Sequence, residues 1–270
     1  MENKPNEDEL SFLSKKILDL NKQLVESEKA KSSFLSLIAS QLNNPITAIL
    51  GILPHIKIEN EKQNRENFDL IYSEALRLNF KIENLVMAAE IESGDIDLSY
   101  ALLKPNEVID DAFSSLKHLI KDRLDDIEVE DNSTKEIVTD AKKIYIIAKN
   151  LIANALIYSE KHSKVEVETY TDDSYFYICV KNMGDGPDIK YKPEIFTRFA
   201  SHMSGEHGLG IGLSIVRELC ESLEGIIDYE VKDGFTTFFV KLPLNEHMID
   251  SVAYGSNEFL FDSFDDTIEM

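Results

Sequence analysis

Leu10, Leu13, Ile17, Leu20 and Leu24 recur at a strict 3,4,3,4 spacing with largely polar residues between them. That period draws one apolar seam along a helix at the heptad repeat, and such a seam is buried only by another helix. The spacing predicts a short dimeric coiled coil. Extending the register puts Phe34 and Ile38 on the same seam, so the helix is expected to run on toward Asn44-Pro45, with Pro54 tolerated as a kink. Phe68, Ile71, Ala75, Leu78, Ile82, Leu85 and Ala89 repeat the device. Two seamed helices joined around Ile58 to Arg65 make a hairpin. A lone hairpin cannot cover both stripes, whereas two chains pairing into a four-helix bundle can. Two helices of a monomeric helical domain account less well for so regular a heptad.

Composition narrows the function classes. Fifty Asp plus Glu against 28 Lys plus Arg leave a net charge of −22. Such a field repels a polyphosphate backbone, so no nucleic-acid partner is expected. Two cysteines, Cys179 and Cys220, make neither a disulfide framework nor a metal knuckle, which fits a reducing cytoplasm. No apolar run approaches the ~20 residues of a membrane span, and the start, MENKPNEDEL, is too polar for a signal peptide. A soluble, cytoplasmic protein with no membrane span is the expectation.

Beyond Leu103 the texture changes. Pro105 to Lys121 reads as an amphipathic helix, Ile127 to Glu130 and Glu136 to Thr139 as strands, and Ala141 to Tyr158 as a helix. Val165 to Tyr170 and Tyr175 to Lys181 form a hairpin around Thr171-Asp172-Asp173. A glycine-led helix over Gly208 to Leu223 follows, then strands Ile226 to Lys232 and Phe235 to Leu242 turned at Asp233-Gly234. Helices interleaved with antiparallel strands, without a βαβ repeat, predict an α+β layer sandwich. The last 26 residues hold seven acidic side chains and no Lys or Arg, and read as a tail. The expected divisions are 1–33, a coiled-coil lead-in; 34–102, a dimerisation hairpin; 103–244, a second domain; and 245–270, the acidic tail. No sensor module is expected ahead of the coiled coil, so input would enter through residues 1–33, the tail or a partner.

The run Phe34-Leu-Ser-Leu-Ile-Ala-Ser-Gln-Leu-Asn-Asn-Pro-Ile-Thr-Ala-Ile49 resembles the phosphoacceptor helix of sensor histidine kinases. Arg77-Leu78 and Glu92-Ser-Gly94 sit where that family has them. Asn150-Leu-Ile-Ala-Asn154-Ala-Leu-Ile-Tyr158 resembles its N box and Asn182-Met-Gly184-Asp-Gly186 its first glycine box. Ile195-Phe196-Thr-Arg-Phe199 resembles its F box, Gly208-Leu209-Gly210-Ile211-Gly212-Leu213 its second glycine box, and the run from Gly234 through Thr236 to Pro243 its closing strand. Single glycine pairs are common; five boxes in order over more than 200 residues are specific. The resemblance implies a histidine kinase/Hsp90-like α/β-sandwich that binds ATP or ADP with Mg²⁺ through these boxes. It also implies a homodimer working with a response regulator or a partner histidine kinase.

The boxes have their own chemistry. Asn150 and Asn154, four apart, share one helix face, and an amide oxygen there can ligate a hard cation that bridges phosphates; Asn154 is the expected Mg²⁺ ligand. A pair of surface or capping amides is the plainer alternative, disfavoured because Asn is a poor choice inside an apolar helix. Gly184 and Gly186 permit positive φ and close approach, while Asn182 can present its oxygen to an adenine amino group; an ordinary turn is the alternative. Gly208, Gly210 and Gly212 at a helix start expose N–H groups toward an anion.

Three departures weigh on the chemistry. Where the family has its phosphate-accepting histidine, then an acidic residue, and Thr or Asn ahead of Pro, this chain has Ser40, Gln41 and Asn44-Pro45. A serine hydroxyl is a weak nucleophile without an adjacent base, and an amide such as Gln41 accepts no proton near neutral pH. Asn182 replaces the usual Asp and loses a charge-assisted bond to adenine; Ile157 replaces a usual Lys. His202 and His207 lie in a short loop where they could touch phosphate or simply be solvated. Three readings stay open: a pseudokinase that binds nucleotide and regulates a partner, an aspartyl-phosphate phosphatase using Asn44, and a non-catalytic scaffold with a vestigial pocket.

Overall fold

The structure, a computed structural model, describes residues 15–18, 21–22, 42–56, 61–94, 96–116, 127–131, 135–160, 163–184, 186–187, 195–197, 210–244 and 251–252. The expected seam from Leu10 to Leu24 lies outside them apart from Ile17, as do Phe34 and Ile38.

Residues 42–52 are helical and form α1, which passes through Pro45 instead of stopping there. Pro54 falls in a 3₁₀ turn, Leu53–His55, where its fixed φ suits a tight turn and its missing N–H costs nothing. Helix α2 spans Glu61–Ser93, so it takes in the second half of the expected connection from Ile58 to Arg65.

Helix α2 has two apolar faces, and this departs from a single seam. Phe68 and Ile82 of the heptad stripe are 56% and 42% exposed, and Ala75 and Ala89 are exposed as well. Ile71, Leu78 and Leu85 are half-buried. Rotated from that stripe, Phe80, Met87, Ala88 and Ile91 pack into the core of the following domain. A heptad count finds the first face because it is periodic along the whole helix; the second is confined to its C-terminal half.

Beyond Gly94 come β1 (Ala101–Leu103), α3 (Pro105–Leu116), β2 (Ile127–Asp131), β3 (Ile137–Thr139), α4 (Ala141–Tyr158), β4 (Val165–Thr171) and β5 (Tyr175–Met183). They are followed by α5 (Gly212–Ser222), β6 (Ile226–Lys232), β7 (Phe235–Pro243) and β8 (Ser251–Val252). Five strands form one sheet in the order β2-β4-β5-β7-β6, and β3-β1-β8 form a second. The α+β sandwich is as expected, with two corrections. The sheet is mixed, because β2 lies parallel to β4, joined through β3 and α4. The acidic segment is more than a tail, since Ser251–Val252 pairs parallel with Ala101–Leu102.

Alternation along the strands decides which face is buried. Phe176, Ile178 and Val180 on β5 point inward, opposite Leu242, Val240 and Phe238 of β7 in register. Ile144, Ile147, Ala148, Leu151 and Ile152 of α4 close over them together with Ile215, Val216 and Leu219 of α5. Asp140 starts α4 by accepting the Lys143 N–H at 2.9 Å, and its second oxygen accepts the Ser99 N–H at 2.8 Å, tying the segment after α2 to the helix start. The β4–β5 turn is closed by Asp172, which accepts the N–H groups of Ser174 and Tyr175.

Phe176 is fully buried between the sheet and the helices, so Phe176→Ala should lower unfolding free energy by about 3–5 kcal/mol in a denaturant titration. A loss under about 1 kcal/mol would mean that this ring is not at the centre of the core.

Candidate functional site

The C-terminal end of α4 carries a polar stripe on an otherwise apolar helix. Lys149 and Asn150 are buried, Asn154 is half-buried, and Ile157 and Tyr158 are about half exposed at the end. Asn154 has no hydrogen-bond partner among the described residues. Asn150 is fully engaged: its Nδ2 donates to Asn84 Oδ1 at 2.9 Å and to Ile146 O at 3.0 Å, and its Oδ1 accepts from Asn84 Nδ2 at 3.0 Å. The two amides expected to act together therefore stand in different situations.

Helix α5 abuts this stripe. A Cβ on Gly212 would lie 2.7 Å from Asn150 Oδ1 and 3.9 Å from Asn154 Nδ2, so only glycine lets the start of α5 come this close. Gly210 precedes it with φ of +65°, while Ile211 and Leu213 are buried beneath. Backbone N–H groups at this helix start lie beside the Asn154 amide.

The third wall is the end of β5. Asn182 is buried and pairs in register with Thr236 of β7. The Thr236 hydroxyl donates to Gly184 O at 3.2 Å, and Gly184 N–H donates to Gly234 O at 2.9 Å. Glu160 N–H donates to Met183 O at 2.9 Å, which joins the end of α4 to the same strand. Gly186 has φ of +63°, and a Cβ there would run into the Thr236 side chain. Burial pushes the Tyr158 phenol above its usual range, so it stays a neutral donor. Phe196 is buried and meets Tyr229 edge-on at 6.1 Å between ring centres.

Of the residues singled out in the sequence, Asn154, Asn182, Gly184, Gly186, Gly210, Gly212 and Thr236 converge on one end of the sheet and α4. Ser40, Gln41, Phe199, Gly208 and Leu209 lie outside the described residues. Asn44 is exposed on α1, ahead of a buried Pro45. Sequence reasoning missed Glu83, Asn84 and Lys149. Lys149 Nζ donates to Glu83 Oε2 at 2.6 Å and lies 5.2 Å from the Phe80 ring centre. An Asn inside a helix was a usable signal at position 84 as it was at 150, but nothing in the sequence links positions 66 apart.

Among the described residues no group of three His, Cys, Asp or Glu side chains is placed to hold a metal, so a cation here would depend on amide oxygens and its own ligand. Burial pushes the thiols of Cys179 and Cys220 up, which leaves neither as a ready nucleophile.

The comparisons agree with this architecture. Residues 139–246 match the family described as Histidine kinase-, DNA gyrase B-, and HSP90-like ATPase. Residues 139–246 thus form an ATPase domain of that kind. Histidine kinase P4 of Formosa agariphila is 27% identical over 263 residues, 90% of this chain and 19% of that protein. Sensor histidine kinase HprS of Escherichia coli is 24% identical over 240 residues, 87% of this chain and 52% of that protein. Acinetobacter baumannii histidine kinase AdeS matches in structure with a TM-score of 0.54 at 21% identity, covering 76% of this chain and 98% of that one. Histidine kinase ThkA in complex with response regulator protein TrrA matches with a TM-score of 0.54 at 20% identity, covering 84% of this chain and 66% of that one. Over most of its length the chain is similar to sensor histidine kinases, with residues 139–246 as an ATPase domain of the matched family. It spans about a fifth to a half of the length of curated relatives such as these two. No helix among the described residues is long and apolar enough to cross a membrane.

Gly186→Ala should combine left-handed strain with a collision against Thr236 and lower stability by about 1–3 kcal/mol in a denaturant titration. Gly234→Ala, with positive φ but nothing within 4 Å of the added methyl, should cost less; equal costs would remove the collision from the account.

Proposed function

We propose that this chain binds ATP or ADP with Mg²⁺ at the junction of α4, β5 and α5 and signals as a homodimer without phosphorylating itself on a histidine. The observation that carries the reading is the convergence of Asn154, Asn182, Thr236 and the α5 start on one face, with glycines where a side chain would close the space. The Asn154 oxygen would serve a Mg²⁺ ion, and Asn182 with Thr236 and the Gly184 backbone would receive the adenine. The N–H groups from Gly210 to Leu213 would face phosphates, with Tyr158 and Phe196 lining the approach. The bound Mg²⁺ would neutralise phosphate charge, a role this site needs because Ile157 supplies none.

Dimerisation is supported by the exposed stripe of Phe68, Ala75, Ile82 and Ala89, an apolar face that no described residue buries. The partner would be a response regulator or an active histidine kinase, since Ser40 and Gln41 stand where a histidine and an acid would be needed for autophosphorylation. The exposed Asn44 supports a second reading, hydrolysis of a response regulator's aspartyl phosphate by a water that the Asn44 amide orients.

A fluorescent ATP analogue should saturate the protein in Mg²⁺ at micromolar to submillimolar concentration, Asn154→Ala should weaken that binding about tenfold, and γ-labelled ATP should leave no acid-labile phosphate. No binding at millimolar nucleotide would leave the scaffold reading standing. Phe68→Asp with Ile82→Asp should halve the mass seen by light scattering; a double variant that keeps the wild-type mass puts the interface elsewhere.

A further inference from the structure

Helix α2 and helix α4 meet through a buried polar junction that the nucleotide site does not need for its own construction. Asn84 and Asn150 exchange two hydrogen bonds, at 2.9 and 3.0 Å, and both residues are under a tenth exposed. One residue before each, Glu83 and Lys149 form an ion pair at 2.6 Å, with the Lys149 side chain only 7% exposed and also donating to Tyr145 Oη at 3.2 Å. Lys142 and Glu90 add a longer contact of 3.8 Å two turns away along the same pair of helices. Apolar contacts alone would have held α2 here; the amide pair adds register, because each amide is satisfied only when the other faces it.

Asn150 cannot serve two partners in this arrangement. Its Oδ1 lies under Asn84 and beside the start of α5, where even a glycine Cβ would be 2.7 Å away. Its Nδ2 already has two acceptors. Turning the amide toward the Asn154 side would break both bonds with Asn84 and strand a buried amide on α2 unless that helix moved. We propose that Asn84, aided by Glu83, is a positioning residue that holds Asn150 closed to metal-bound nucleotide, so that docking of α2 on α4 and Mg²⁺-nucleotide binding compete. By linkage, nucleotide held at Asn154 that also recruits the Asn150 oxygen loosens α2, and a partner or input that loosens α2 frees Asn150 and tightens nucleotide. The inference rests on the nucleotide reading above and says how that site is regulated.

The test uses the full chain and a fluorescent ADP analogue titrated in Mg²⁺ and in EDTA. Asn84→Ala should raise the ratio of Mg²⁺ to EDTA affinity about tenfold, a change that a merely structural contact would not confine to the metal-dependent part. Glu83→Gln, at the half-buried rim where folding is not at risk, should move the ratio the same way by about two- to threefold. Hydrogen exchange over residues 80–91 should quicken when wild type is saturated with Mg²⁺-ADP. If wild type binds and both variants keep its ratio, or lower it, the competition is overturned while the nucleotide site stands. If wild type takes up no nucleotide, the nucleotide reading itself falls and the competition falls with it.

Discussion

Everything in this chain is arranged around α4, a helix that must satisfy three neighbours at once. Its apolar face, from Ile144 to Ile152, supplies the core that holds the five-stranded sheet. Its polar stripe has to be either bonded or left facing ligand, because a buried amide or ammonium without a partner is costly. The protein meets that demand in two ways within a few residues. Lys149 and Asn150 are bonded to α2, and Asn154 is left without a partner among the described residues. That division places the boundary between the α2 contact and the proposed nucleotide site within one turn of helix.

The remaining walls follow from strand register. Because β5 and β7 pair so that Asn182 faces Thr236, both polar side chains come to the same inward position at the sheet end. Slippage by one residue would send them outward and bring Lys181 and Thr237 in. The β6–β7 turn then returns Gly234 to within hydrogen-bond reach of Gly184, which fixes the end of β5 against the sheet. Site geometry is thus a consequence of core packing, since the same register buries Phe176, Ile178 and Val180.

Similarity to the sensor histidine kinases and the proposed loss of their acceptor chemistry are compatible in physical terms. The proposed nucleotide site is built from the sheet, α4 and α5, whereas Ser40 and Gln41 belong to the N-terminal run that resembles a phosphoacceptor helix. Substituting Ser40 and Gln41 leaves the former untouched. What stays connected is the mechanical path, from the exposed stripe of α2 through Glu83 and Asn84 to the N-terminal half of the polar stripe on α4. On the proposed reading, a chain that transfers no phosphate to itself would still report nucleotide state through that path.

Elements and local chemistry were legible in the sequence because they rest on short-range rules. Burial alternates along β4, β5 and β7, α4 begins at the residue after Asp140 as its cap requires, and the Asp172 and Asp233-Gly234 turns carry their signals in two or three residues. The glycine and asparagine boxes were recognisable for the same reason. Parallel pairing of β2 with β4 and of β8 with β1 was not, since a strand's partner is settled by how its faces pack and not by its own alternation. Nor was the role of Asn84. The sequence marks it as an unusual helix-interior residue; that its oxygen and nitrogen meet those of Asn150 is decided only when α2 docks, because complementary amides 66 residues apart find each other through the packing of Phe80, Met87 and Ile91 around them.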